Sequence, residues 1–266
     1  MNEPAPPVPW RSVALPVEHG GWGLLIEPVV LGLVLAPSPA GFYLAGAAGA
    51  AFLARHPLRL VFMDRRKGAR YPRTALAERF ACGYATLALA LFALASALAS
   101  APFWPAIAVG VLPALVALVY DLQGRSREAL PETAGGVALG ASASAIALAG
   151  GVAAGPAFGA WALLALRGVT AVLYVRARLR LDRGLSAGTR GALASHAAAL
   201  AVAGALTLAG WGPWLGVLAL GVLLLRAAWG LSSRRAQVRP KVVGFQELAF
   251  GLLTLVLLAV GYRFDA

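Results

Sequence analysis

Nine apolar stretches of about 17 to 24 residues, separated by short connections that alternate between strongly basic and wholly uncharged, constrain this chain to a fold that crosses a bilayer repeatedly. The stretches run near Gly20 to Ala36, Ala40 to Phe62, Ala75 to Leu98, Trp104 to Tyr120, Thr133 to Ala153, Phe158 to Tyr174, Ala192 to Gly210, Trp214 to Gly230 and Val243 to Tyr262. A soluble surface is out of reach at 60% hydrophobic and 13% charged residues with a mean hydropathy of +0.76. The expected fold class is all-α: a polytopic bundle of about nine transmembrane helices forming one domain over residues 17–266, after an irregular, disordered tail of five prolines over residues 1–16. That tail lacks the basic-then-apolar order of a cleavable signal sequence.

The connections carry the orientation. Those around Pro37 to Pro39, Ser100 to Pro102, Gly155 to Pro156 and Trp211 to Pro213 hold no charged residue. The second connection and its flanks hold Arg55, Arg59, Arg65, Arg66, Lys67, Arg70, Arg73 and Arg79. The fourth holds Arg125 and Arg127. The sixth holds Arg176, Arg178, Arg180, Arg183 and Arg190, and the eighth Arg234, Arg235, Arg239 and Lys241. Because Lys and Arg accumulate on the cytoplasmic side of short loops, the N-terminus is expected inside and the C-terminus outside, with Arg263 the one outer exception. The net charge of +12 is thereby read as topology. Nucleic-acid binding is not expected, since no continuous basic stripe with stacking aromatics is present. Arginine outnumbers lysine 21 to two, a bias that suggests a GC-rich, hence bacterial, genome and an inner-membrane location.

Charges inside apolar spans are costly, by at least about 2.5 kcal/mol on insertion scales, and point to function or to pairing. Arg167 is such a charge. With Thr170, Ala171, Tyr174 and Arg178 it falls on one helical face at spacings of three and four. Its candidate partners are Glu18, Glu27, Glu132 and Glu247, either as structural neutralisers or as ligand contacts. Glu27 precedes Pro28, which frees a backbone carbonyl. Glu18 and His19 precede the first helix and either cap it or, in the case of His19, carry a proton or a ligand contact. His56 and Arg59 lie one turn apart at the inner end of the second helix. A metal site is not expected: one built from His19 and His56 would need their helix ends to converge, His196 sits in an alanine-rich helix with no third ligand in view, and Cys82, the only cysteine, reads as a small core residue. The glycines Gly135, Gly136, Gly140, Gly150 and Gly151 read as close helix packing, and Trp104, Tyr120, Trp211, Trp214 and Tyr262 as an interfacial belt.

The opening Pro16-Val17-Glu18-His19-Gly20-Gly21-Trp22 with Glu27-Pro28 resembles the signature of the YwiC-like family of bacterial membrane proteins. Further matching stretches are His56-Pro57-Leu58-Arg59, Tyr120-Asp121 with Glu132 beyond it, and Tyr174-Val175-Arg176-Ala177-Arg178-Leu179-Arg180. That family brings no established activity with it. More distantly, the arrangement resembles the UbiA-type intramembrane prenyltransferases. The resemblance implies nine helices, an inner N-terminus and functional loops after the second and sixth helices, where aspartates hold magnesium and a prenyl diphosphate. The chain departs from that pattern in offering only Asp64 after the second helix and Asp182 after the sixth, so magnesium is disfavoured and the cofactor stays open. Guanidinium groups hold phosphate without a metal. The expected ligand is therefore an anionic isoprenoid or lipid phosphate in an inner-facing, arginine-lined cavity, beside the membrane lipids themselves. A small transporter or channel using Glu27, Arg167 and Glu247, and an accessory membrane subunit, stay open as alternatives.

Overall fold

The structure, a computed structural model, describes residues 9–16 and 19–264, with side chains from residue 21 onward in the second segment. Among the described residues its regular secondary structure is all helix, joined by short turns and connections. A short turn α1 (Arg11–Ala14) is followed by nine long helices: α2 (His19–Leu35), α3 (Pro39–Arg66), α4 (Pro72–Leu98), α5 (Trp104–Leu122), α6 (Ala129–Ala149), α7 (Ala154–Asp182), α8 (Thr189–Leu208), α9 (Trp214–Gly230) and α10 (Pro240–Phe264). Six of them, α4, α5, α6, α7, α8 and α10, are long and apolar enough to cross a membrane, while α2 and α9 are shorter apolar helices. The chain is a multi-pass integral membrane protein. Helix α3 is long at 28 residues, but Arg55, His56 and Arg59 interrupt its apolar run.

Helix starts follow local chemistry. Pro39 opens α3 at a position where its missing N–H costs nothing, and Ser38 Oγ accepts from Gly41 N at 3.1 Å. At α4, Pro72 repeats the device and Thr74 Oγ1 accepts from Tyr71 N at 3.0 Å. Helices α3 and α7 end at Gly68 and Gly184, whose φ values of 63° and 71° suit glycine best.

Helices α2, α6 and α7 form the middle of the bundle. Helix α6 touches α5, α7, α2 and α3, and α2 also meets α10. Half of the apolar window of α6 and of α7 is buried, against 11% for α4, which leans on α3 at the periphery with its leucines outward. The core is built from small residues and leucines, with Leu31, Leu163, Leu223 and Leu258 in one cluster and Phe103, Ile146 and Ala149 in another. Close approach depends on glycine: a Cβ at Gly159 would lie 1.8 Å from the Trp211 carbonyl oxygen. Such contacts replace the hydrophobic drive that lipid removes.

Part of the stretch expected as an irregular tail, residues 9–16, is described by the structure and holds α1. Val13 of α1 is buried against Val61 and Ala77, and Ala14 is buried beside it, so residues 9–16 hold an ordered turn on α3 and α4. The apolar residues, not the surrounding prolines, decide the matter.

Candidate functional site

All charge in the connections lies at one end of the bundle, and two polar constructions stand out, one at that end and one within the helices. The first is a cavity of about 270 Å³ at the charged end, lined by Pro16, Phe52, Arg55, His56, Arg59, Asp121 and Arg127. Asp121, at the last turn of α5, is 2% exposed and lies between two arginines of α3: Arg55 Nε donates to Oδ2 at 2.8 Å and Arg59 Nε stands 3.3 Å from Oδ1. That second contact is an ion pair without an aligned hydrogen bond, leaving Arg59 Nε and Asp121 Oδ1 buried and unsatisfied. His56 Nε2 meets the Ser12 carbonyl at 3.1 Å, fastening α1 beside the cavity. Three arginines against one aspartate make this a cationic site. Its apolar wall is Phe52, which Trp22 meets edge-on with ring centroids 5.2 Å apart.

The second construction is a charge network within the bundle. Arg167 Nη1 of α7 stands 3.1 Å from Glu27 Oε2 of α2, the two side chains being only 8% and 11% exposed, and Arg167 Nη2 donates to the Glu247 carbonyl at 3.1 Å. Glu247 of α10 pairs through its own carboxylate with Arg226 of α9. The Arg226 guanidinium lies 3.9 Å from the centre of the Tyr174 ring and 5.2 Å from that of Phe250. Gly251 makes the space, because a Cβ there would come within 2.3 Å of both Arg167 Nη2 and Glu27 Oε1. Two acids and two arginines from four helices thus neutralise one another.

Residues 15–147 match the YwiC-like protein family. The chain belongs to that family. No curated protein matches it. Every lining residue of the basic cavity, from Pro16 to Arg127, falls inside the matched half, whereas of the buried network only Glu27 does.

The sequence candidates divide accordingly. His56, Arg59 and Asp121 meet at the cavity, and Glu27, Arg167, Tyr174 and Glu247 at the network. Arg167, Thr170, Ala171, Tyr174 and Arg178 all lie on the buried face of α7. Glu132 pairs instead with Arg176 at 3.1 Å. Glu18 and the side chain of His19 lie outside the described residues.

Of the two basic loops singled out in the sequence, only the flank of the one after α3 lines the cavity described above. Arg178 is spent within the protein, donating to Asp182 Oδ2 at 2.9 Å, to the Gly230 carbonyl at 2.7 Å and to the Ala236 carbonyl. Arg235 joins Asp182 from the α9–α10 connection, so these charges clamp a loop. Asp64, fully buried at the end of α3, takes Arg73 through both oxygens at 2.8 and 3.3 Å and Thr74 Oγ1 at 2.8 Å. The Arg73 bonds hold its carboxyl below the usual carboxylate range. Asp64 and Asp182, the two carboxylates at the positions the prenyltransferase resemblance points to, thus face guanidinium groups, a donor set that does not fit magnesium. Among the described residues no three His, Cys, Asp or Glu side chains group together.

Arg226 escaped the sequence reading, although LLLRAAW carries the same signal as Arg167, a lone arginine in an apolar run. Arg55 and Arg127 were read only as topology.

Proposed function

We propose that this YwiC-like protein binds a phosphate-bearing lipid or isoprenoid, with the anionic head in the basic cavity between α3 and α5 and the charged end of the bundle in the cytoplasm. The observation that carries the reading is Arg59: half-buried, 3.3 Å from Asp121, with a buried Nε donor that finds no hydrogen-bond acceptor. Guanidinium edges take phosphate oxygens bidentately and need no metal to do so. A cavity of about 270 Å³ suits a phosphate or diphosphate head, and the apolar tail would lie along Phe52 towards the lipid. The orientation rests on the confinement of basic connections to one end.

A through-route for a transported solute is less well supported. From the buried network to the uncharged end, α2, α7 and α9 carry no Asp, Glu, Lys, Arg or His, and α10 carries only Arg263.

The test is thermal stability of the detergent-purified protein with farnesyl or geranylgeranyl diphosphate, with and without magnesium, against a matched uncharged isoprenoid. Ligands that bind the native state raise its apparent stability. Stabilisation by the diphosphates alone, independent of magnesium and lost in Arg59→Ala combined with Arg127→Ala, is expected. Equal stabilisation by the uncharged compound, or none, refutes the reading.

A further inference from the structure

The buried network is paired in charge yet unfinished in hydrogen bonding. Arg226 Nε and Nη2, Arg167 Nε, Glu247 Oε2 and His196 Nε2 are buried and have no partner. They lie together: Glu247 joins the two arginines, and Arg226 stacks on the Tyr174 ring, whose centre is 6.5 Å from that of His196. His196 Nδ1 stands 2.7 Å from the Ala192 carbonyl and therefore donates, leaving Nε2 as an acceptor. Three unspent donors and two unspent acceptors in one place are the partners that bound water needs.

We infer that this is a hydrated proton-binding site centred on Glu247 and reached from the charged end. The two acids differ. Glu27 lies in the middle of α2 against Arg167, whereas Glu247 keeps one oxygen without a partner and stands seven residues into α10, about 10 Å from its start. The groups facing Glu247 are Arg226 from α9, Arg167 and Tyr174 from α7, and Glu27 from α2. In the step, a hydronium ion at the charged end passes its proton to Glu247 Oε2 and is left as water, and the carboxylate becomes a neutral acid. The positive charge left on Arg226 is held by the faces of Tyr174 and Phe250, an arrangement that tolerates a guanidinium without its counter-ion. The lack of ionisable side chains along α2, α7 and α9 towards the other end makes the site one-sided: it senses pH on the charged face and does not conduct. This inference is independent of phosphate binding at the α3–α5 cavity.

Infrared difference spectra of the full chain in lipid nanodiscs, taken between neutral and mildly acidic pH, test it. The expected result is a protonated-carboxyl carbonyl band that appears on acidification and shifts rapidly in heavy water. It should be lost in Glu247→Gln, displaced in Glu247→Asp and kept in Glu27→Gln. Proton uptake per chain, followed with a pH-indicating dye, should be lower by one proton in Glu247→Gln than in the wild type. Absence of the band from the wild type, or its persistence unchanged in both Glu247 variants, overturns the assignment. A band that resists exchange in heavy water overturns the hydration.

Discussion

Removing Arg167 alone should cost far more than removing it together with Glu27. The pair stands at 3.1 Å with side chains 8% and 11% exposed, so neither charge has water to fall back on. With about 4 Å between charge centres and an effective dielectric of about 20, the attraction is worth about 4 kcal/mol. Arg167→Met leaves the Glu27 carboxylate uncompensated, a defect that typically costs about 3–5 kcal/mol. Glu27→Gln strands the guanidinium in the same way, relieved in part by the Glu247 carbonyl. The double variant carries neither charge and should be close to wild type in stability. A double-mutant cycle by reversible unfolding in mixed micelles should therefore give a coupling of at least about 4 kcal/mol, on the order of a 1,000-fold change in the folding equilibrium. The Arg65–Glu78 pair, with side chains 71% and 28% exposed, is the control and should couple by less than about 1 kcal/mol. A Glu27–Arg167 coupling no larger than the control would refute the view that this pair is held out of water.

Asp64→Asn should destabilise the charged end by about 2 kcal/mol, because Arg73 and Thr74 lose a charged acceptor. The Asp64 carboxyl titrates below its unfolded value, so its contribution is full above about pH 5. It fades as pH falls through the unfolded and then the folded value; the wild-type advantage over Asp64→Asn in melting temperature should shrink only in that acid range. Gly159→Ala drives a methyl against the Trp211 carbonyl and should lower stability by at least about 1–3 kcal/mol. Gly49→Ala, which meets nothing within 4 Å in α3, should raise it by about 0.4–1 kcal/mol, and thermal melts of both variants check the pair. In a Cys82→Ser background, a membrane-impermeant maleimide should reach Ser100→Cys only from outside the cell and Ser186→Cys only from within; the opposite pattern would invert the proposed orientation.

The helices were legible because apolar runs and uncharged turns mark them directly, and the partners of Arg167 were legible because the spans hold so few acids. Glu27, the ion-pair partner of Arg167, was among the four named, as was Glu247, which meets Arg167 only through its backbone carbonyl and pairs its carboxylate with Arg226. Three things were hidden. The apolar stretches end at Phe62 and Tyr174, yet α3 and α7 continue to Arg66 and Asp182, because a helix leaving the bilayer needs no apolar face. Arg178 looked like a ligand arginine until the α9–α10 connection folded back onto it, a tertiary contact that no local pattern encodes. Arg226 disappeared into the general surplus of basic residues, although its depth in an apolar run sets it apart.

Helices α2 and α9 have 17 residues each, about 25 Å of rise, against a hydrocarbon layer of about 30 Å. A bilayer meeting these two helices must thin, at a modest cost for each ångström. They are also the helices that carry Glu27 and Arg226, so the dent in the membrane forms beside the buried charges and brings the headgroup layer nearer to them. Lipids with longer acyl chains oppose that dent, which makes membrane thickness a control on how readily solvent reaches the centre of this protein.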